Sequence, residues 1–274
     1  MNKVKDRILL SLLICAGLIT VGILVVIVGF IFYKGIGHIS FDFIFNDYSP
    51  TSGGGIWPMI ITTIYTIIIS LAIATPIGIL AAVYLQEYAK QGRLVKIIRF
   101  ATESLTGIPS IIYGLFGAVF FVATMKMGLS IISASLTLTI IILPVVIRTT
   151  EESLKTVPQS YREGSLALGT TKLQTLYKVV LPSAMPGILS GVILSMGRII
   201  GESAAIFLTA GTVAAMPESI FSSARTLTVH SFLVTQEAGN IELAAAIGIV
   251  LIVLILTLNF GATFISKKLN KANY

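Results

Sequence analysis

The chain has 274 residues, of which 55% are hydrophobic and only 11% are charged. A soluble domain carries roughly 25% charged residues, so a water-soluble fold of this length could not bury so much apolar surface, whereas a lipid bilayer can accommodate it. The formal net charge of +7 does not indicate nucleic-acid binding, because the basic residues fall in short segments between apolar runs, where they act as topology signals.

Few residues of the chain are suited to metal or redox chemistry. It contains one cysteine, Cys15, and two histidines, His38 and His230, which are far apart in sequence. A single cysteine cannot form an internal disulfide, and separated histidines do not supply the clustered ligands that hold zinc. We therefore expect no cofactor in this chain.

Stretches of low charge predict six membrane-spanning helices, since a spanning helix needs about 20 apolar residues. They cover Ile8 to Tyr33, a stretch within Ile56 to Gln86, Ser104 to Met125, Met127 to Ile147, about Ser183 to Ala210, and Leu243 to Ser266. The first is too long for the apolar core of a signal peptide, so we expect it to be retained. The predicted fold class is an all-α integral membrane protein.

The distribution of lysine and arginine predicts the orientation of these spans. With the N-terminus inside, fifteen of the 19 basic residues lie in internal segments, and Lys34, Lys126 and Arg225 lie in external ones. Arg198 falls within a predicted helix. Because cytoplasmic segments carry the excess of basic residues, both termini are predicted to be cytoplasmic.

The longest internal segment, Arg148 to Leu181, is too polar to span a membrane. Pro158 suits the first turn of a helix, Gly169 interrupts the helical pattern, and apolar residues then follow at helical spacing. The pattern predicts two short helices joined at a glycine on the cytoplasmic surface. From periodicity alone, an amphipathic connector that rests on lipid is an open alternative.

The spacing in this segment resembles the signature loop of the permease subunits of bacterial ABC importers. That pattern has a glutamate, two small residues, three variable ones and a glycine, then nine residues before an aliphatic residue, one variable residue, leucine and proline. Matching positions are Glu163, Gly169, Val179, Leu181 and Pro182, with Gly164 and Ser165 where the family usually has alanine.

The resemblance implies that this loop packs into a groove on a separate ATP-hydrolysing subunit. The residues that it assigns to ATPase coupling are Arg162, Glu163, Gly164, Ser165, Gly169, Leu181 and Pro182. The chain has no phosphate-binding loop of the Gly-x-x-x-x-Gly-Lys-Ser/Thr type, so ATP and Mg²⁺ are expected on the partner ATPase.

Two ionisable residues, Arg198 and Glu202, lie in the fifth predicted span four positions apart, so we expect them to share one helix face. A charge in mid-membrane costs about 2.5–3.5 kcal/mol on insertion scales, so neither is expected to face lipid. One interpretation is an ion pair that satisfies itself. The other is a cationic station on a substrate path, where Glu202 orients Arg198 towards a phosphate-like oxyanion and Ser203 adds a hydroxyl.

The motif Gly-Arg-x-x-Gly-Glu-Ser at 197–203 resembles the phosphate-specific permeases of the PstA/PstC pair, and the similarity extends over about residues 54–259. The glycines at 53–55 followed by Ile56 favour the PstA member. The resemblance implies a type I ABC importer permease fold in a bacterial cell membrane and an inorganic phosphate cargo. It also implies a PstC-like second permease, two copies of an ATP-binding subunit and an extracytoplasmic phosphate-binding protein as partners.

The same resemblance divides the chain into three parts. Residues 1–55 are expected to form an N-terminal transmembrane helix and an external loop. Residues 56–266 are expected to form a core permease domain, with the cytoplasmic coupling loop at 151–182. Residues 267–274 are expected to form a cytoplasmic tail.

The sequence leaves open three alternatives to a phosphate importer. The same architecture would also serve sulfate, molybdate or an organic solute. A secondary transporter would leave the coupling loop unexplained, and we see no clear internal repeat of the kind such proteins often carry. A membrane enzyme would need a catalytic cluster of histidines or paired carboxylates, which the sequence does not show.

Overall fold

The computed structural model describes residues 3–49 and 55–271, and the secondary structure of these ranges is helical, without a β-strand. The α-helices are α1 Lys3–Gly35, α2 Phe41–Phe45, α3 Trp57–Val83, α4 Arg93–Thr106, α5 Ser110–Gly117, α6 Ile131–Lys155, α7 Gln159–Ala167, α8 Lys172–Thr175, α9 Leu181–Gly201, α10 Ala204–Ala210, α11 Leu227–Glu237 and α12 Ile241–Lys271. Wider π-helical turns extend α3 through Tyr84–Tyr88, extend α5 through Ala118–Thr124, and join α8 to α9 through Leu176–Val180. Gly53 and Gly54, the first two glycines of the run at 53–55, lie outside the described residues.

Six crossings of the membrane are confirmed once one broken helix pair is counted as a single span. Five helical segments are long and apolar enough to cross: Leu9–His38, Trp57–Tyr88, Ile131–Lys155, Lys172–Gly201 and Ile241–Phe264. The sixth consists of Arg93–Thr106 and Ser110–Thr124, which meet at an angle of 99°. An even number of crossings leaves both ends of the chain on the same side, as the charge pattern predicted.

The third predicted span, Ser104 to Met125, is wrong at its beginning. α4 ends at Thr106, and α5 begins at Ser110 after Pro109. Proline lacks an N–H and disfavours helix in the residue before it, so the helix breaks there although the stretch carries no charge. α4 exposes the apolar residues Leu94, Ile97 and Phe100 on one side, and Arg99 on another side bonds Glu151 of α6.

The centre of the bundle is formed by α3, α6 and α9. The backbones of α3 and α6 approach so closely at Gly78 that a Cβ atom there would lie 2.6 Å from Cγ1 of Val146. Some buried hydroxyls of these helices donate to carbonyls one turn earlier in their own helix, as Thr66 and Thr137 do at 2.8 Å, whereas the hydroxyls of Thr75, Ser135 and Thr150 have no partner among the described residues. Small residues such as Gly78 let these helices pack closely.

Ion pairs at both ends of the bundle agree with the predicted topology. At the external end, Lys34 of α1 bonds Glu242 of α12 at 3.1 Å. At the cytoplasmic end, Arg99 of α4 bonds Glu151 of α6 at 3.1 Å. Each pair joins two helix ends that the six-span arrangement places on the same side of the membrane.

Candidate functional site

The cytoplasmic segment between α6 and α9 consists of two short helices, α7 and α8, which meet at Gly169. The φ angle of Gly169 is +82°, in the left-handed region that favours glycine. α8 begins with a capping box in which the Thr171 side chain accepts from the Gln174 N–H, and the Gln174 side chain accepts from the Thr171 N–H. The sequence prediction of two helices joined at a glycine is therefore confirmed.

Three hydroxyls fasten α7 to α8 across this turn. Oγ of Ser165 lies 2.8 Å from Oγ1 of Thr170 and 3.0 Å from Oγ1 of Thr175, and the two threonine oxygens are 2.9 Å apart. Thr170 also donates to the Ser165 carbonyl at 2.8 Å. Ser165 stands where the family usually has alanine, and its hydroxyl stabilises the turn between α7 and α8.

The outer surface of α7 is open to a partner. Glu163, Gly164 and Gly169 are exposed, and Leu168 beside the turn exposes 86% of its surface. Leu181 and Pro182 are half-buried and begin α9, so the segment leads directly into a span. An exposed leucine beside small residues on a short helix is suited to a helix-in-groove contact.

Arg162 points in the opposite direction, into this chain. Its guanidinium donates to Oε1 of Glu87 at 2.8 Å and to the carbonyls of Leu154 and Val157 at 2.9 and 2.7 Å. The side chains of Arg162 and Glu87 expose only 15% and 14% of their surface, respectively. Both line a cleft of about 590 Å³ between α7 and the end of α3.

A second cation holds the same end of α3. Nζ of Lys172, at the start of α8, donates to the carbonyl of Glu87 and lies 4.7 Å from the centre of the Tyr88 ring. Both short helices are therefore attached to the π-helical turn that ends α3. The sequence offered no signal for this contact, because Glu87 and Arg162 are 75 positions apart.

The predicted pairing of Arg198 with Glu202 on one helix face is wrong. α9 ends at Gly201, and Glu202 has extended backbone with φ −79° and ψ 127°. Its carboxylate accepts from the N–H of Ala205 at 3.2 Å, in the first turn of α10. Ser203 is the N-cap residue of α10, but its side chain makes no capping hydrogen bond. The helix break thus separates Arg198 from Glu202, and the carboxylate satisfies backbone instead.

Arg198 remains half-buried near the end of α9, and within the described ranges its guanidinium has no hydrogen-bond or ion-pair partner. Its charge acts electrostatically on Tyr113 of α5, whose hydroxyl donates to the carbonyl of Leu105 at 2.7 Å. By contrast, Arg99, Arg148 and Arg162 are each paired with a glutamate at the cytoplasmic end. The internal ion pair is thereby excluded for Arg198, and its donors are free for another acceptor.

A further buried cluster, around Arg225, is not predicted from the sequence. Charge and position place Arg225 in an external segment, yet Arg225 and His230 are both buried at the outer end of the bundle. Tyr48, from the loop after α2, contacts both of them. The sequence signal that was available is the apolar spacing of Leu227, Leu233 and Val234, which indicates a helix packed on the bundle.

The family model described as "Binding-protein-dependent transport system inner membrane component" matches residues 74–271. The chain belongs to this family. It is therefore a multi-pass membrane protein and a transport subunit rather than an enzyme. Among the described residues, no group of three His, Cys, Asp or Glu side chains is placed to hold a metal ion.

Individual relatives agree with this assignment. The chain is 36% identical to the probable ABC transporter permease protein YqgI of Bacillus subtilis, over 98% of each chain. It is 37% identical to the phosphate transport system permease protein PstA of Pasteurella multocida, over 76% of this chain and 75% of the relative. The crystal structure of a bacterial alginate ABC transporter, in complex with an alginate pentasaccharide-bound periplasmic protein, matches with a TM-score of 0.67 and 16% identity over 98% of this chain and 99% of that one. The fold is that of the type I ABC importer permeases, as predicted.

Proposed function

We propose that this chain is a permease subunit of an ATP-driven importer of inorganic phosphate. The observation that carries the proposal is the unpaired guanidinium of Arg198, within a chain whose PstA relative is a phosphate transport permease. A planar guanidinium with free donors binds a tetrahedral oxyanion in bidentate fashion. Ser203 and Glu202 lie just beyond the end of α9, where a hydroxyl can add a donor and a carboxylate can limit which anions pass.

The partners that we propose complete the transport path and drive it. A PstC-like second permease supplies the other half of the path, and an extracytoplasmic phosphate-binding protein delivers the cargo. Two copies of a cytoplasmic ATPase bind ATP and Mg²⁺, so this chain needs no cofactor of its own. The division into an N-terminal part at 1–55, a core at 56–266 and a tail at 267–274 is part of this proposal, and α12 runs as one helix to Lys271.

In the proposed mechanism, the coupling residues act in two ways. Glu163, Gly164 and Gly169 lie on the exposed side of the loop and contact the ATPase, whereas Arg162 and Ser165 hold the loop together from within. Leu181 and Pro182 pass the movement into α9, which carries Arg198 at its other end. Closure of the two ATPase subunits then displaces the loop as a rigid body and shifts the helices around the path.

Uptake of radiolabelled phosphate into vesicles tests the proposal. The vesicles contain this chain with its second permease, its ATPase and its binding protein, and sulfate and molybdate are added as competitors. We expect ATP-dependent uptake that excess sulfate does not inhibit. Inhibition by sulfate or molybdate would keep the architecture and change the cargo, and uptake without ATP dependence would contradict the coupling role of 151–182.

A further inference from the structure

The chain segment before α11 folds back onto the outer end of the bundle. The N–H of Ala224 donates to the carbonyl of Ala210 at 3.2 Å, and the N–H of Arg225 donates to that of Val213 at 3.0 Å. The N–H of Leu227 then donates to Oγ1 of Thr63 in α3 at 3.0 Å. These bonds fix the backbone on both sides of Arg225 and place its side chain inside the protein.

The guanidinium of Arg225 is buried without an anionic partner. The residue exposes only 9% of its surface, its Nε has no hydrogen-bond partner, and no carboxylate in the described ranges pairs with it. Its guanidinium lies over the face of the Tyr48 ring, whose centre is 4.7 Å from Cζ. A buried arginine is costly unless its charge and its donors are satisfied, and an aromatic face compensates only part of that cost.

His230 contacts the same Tyr48 ring and also lacks a hydrogen-bond partner at Nδ1. Its ring meets that of Tyr48 edge to face at 5.4 Å, the residue is 2% exposed, and Nδ1 has no hydrogen-bond partner. Burial, followed by the nearby charge of Arg225, lowers the pKa of His230 to about 3. The imidazole is therefore neutral at physiological pH, when it can donate one hydrogen bond without adding charge.

The cluster of Arg225, His230 and Tyr48 adjoins the element that carries Arg198. The hydroxyl of Thr228, in the first turn of α11, donates to the carbonyl of Ile200 near the end of α9. The start of α11 therefore meets the end of α9 that bears Arg198. Two guanidiniums without acceptors thus lie on joined elements, one deeper in the bundle and one at its external end.

We propose that Arg225, together with His230, forms an oxyanion station on the extracytoplasmic side of Arg198, and that it receives inorganic phosphate before Arg198 does. The inference rests on the proposed function, because phosphate supplies the acceptor oxygens and the negative charge that both side chains lack. The ring face of Tyr48 holds the Arg225 guanidinium in place and leaves its N–H donors available to the anion. Passage from one cationic station to the next keeps the charge of the cargo compensated along the path.

The test is Arg225→Met in the complete importer, with phosphate uptake, ATPase stimulation by the binding protein, and thermal unfolding of the complex measured together. Methionine fills a similar volume without a charge, and replacing a buried charge by an apolar side chain is often neutral or stabilising. We therefore expect an unchanged or higher unfolding midpoint, stimulated ATPase within about twofold of the parent, and uptake lowered about tenfold or more, because hydrogen bonds to charged groups are the strong ones. Arg93→Met, at an exposed arginine at the start of α4, is the matched control and should behave like the parent.

Each other result overturns the inference. Parental uptake by Arg225→Met would show that the cargo does not need this charge. Loss of stimulated ATPase would assign Arg225 to docking an acidic group of the binding protein, and failure to assemble or a lower midpoint would assign it to folding. If the parent itself imports no phosphate, the proposed function fails. Uptake by the parent and by Arg93→Met that is lost in Arg225→Met alone assigns the defect to Arg225.

Discussion

At the scale of single residues, the most informative feature is which arginines have acceptors. Arg99 and Arg162 bond glutamates and are held in place by them. Arg198 and Arg225 have donors that no side chain or carbonyl of the described chain accepts. Because an unpaired charge inside an apolar bundle does not contribute to folding, we expect its removal to affect transport and not stability.

Arg198→Ala tests this directly. No hydrogen bond of the described chain is lost with its side chain, so we expect normal assembly together with uptake lowered about a hundredfold or more, as the loss of charge-assisted bonds to an oxyanion predicts. The amount of assembled complex and the rate of phosphate uptake are the two measurements. Arg93→Ala serves as the control, and parental uptake by assembled Arg198→Ala would exclude this residue from the path.

Residue types could be predicted from the sequence better than their partners. The motif identified Arg198 as important, but it placed Glu202 on the same face because it assumed that the helix continues. The break after Gly201 turned Glu202 towards the N–H of Ala205. No local sequence pattern distinguishes a Glu202 carboxylate that pairs with Arg198 from one that accepts from the N–H of Ala205. The two possible partners lie four residues before and three residues after Glu202.

At the scale of elements, α7, α8 and the turn between them form a stiff corner. Gly169 provides the left-handed turn, and the hydroxyls of Ser165, Thr170 and Thr175 close it. Gly164 lies inside α7 with ordinary helical backbone. A Cβ atom at either glycine would meet nothing within 4 Å, so substitutions at the two positions differ in backbone strain and not in packing.

We therefore expect Gly169→Ala to impair coupling. Gly164→Ala should leave coupling unchanged although Gly164 faces the ATPase, because alanine is the residue that the family usually has at this position. A left-handed conformation costs a residue with a Cβ roughly 1–2 kcal/mol, which would distort the corner or move α8 away from α7. The ratio of phosphate imported to ATP hydrolysed is the measurement, and it should fall only for Gly169→Ala. An equal effect of both variants would indicate that the surface of α7, and not the turn, determines coupling.

The elements themselves followed from the sequence wherever composition determines them. Five long spans and the two-helix loop were predicted because charge-free length and a glycine break are local properties. The division of the third span was not predicted, because Ser104 to Met125 is continuous in composition and Pro109 alone interrupts it. The burial of α11 could not be predicted either, because it depends on Thr63 and Ile200, which are distant in sequence.

At the scale of the whole molecule, α3 connects the cytoplasmic loop to the external cluster. Its 27 residues span about 40 Å at 1.5 Å per residue. Glu87, just beyond its cytoplasmic end, bonds Arg162 and Lys172, while Thr63 near its external end accepts from Leu227 at the start of α11. α3 also packs along α6. Because α3 packs along α6 and is bonded at both of its ends, it is suited to carry movement of the loop across the membrane.

Glu87→Gln tests this connection at its cytoplasmic end. The amide keeps the shape of the side chain but loses the charge that binds Arg162, and hydrogen bonds to charged groups are worth about 1.5–3 kcal/mol. Since the backbone acceptors of Arg162 at Leu154 and Val157 remain, we expect the complex to assemble. The phosphate imported per ATP hydrolysed should fall about fivefold, because a loss of about 1 kcal/mol in the contact between Arg162 and residue 87 corresponds to a factor of that size.

Glu103→Gln is the matched control for this prediction, because Glu103 pairs with Arg148 at the same end of the bundle but both side chains are largely exposed, at 68% and 61%. An exposed pair contributes about 0–1 kcal/mol, so this variant should import phosphate like the parent. If the two variants behave alike, the buried Arg162–Glu87 pair has no special part in transmission. The loop would then act on α9 alone, through Leu181 and Pro182, because these two residues join it to that span without a break.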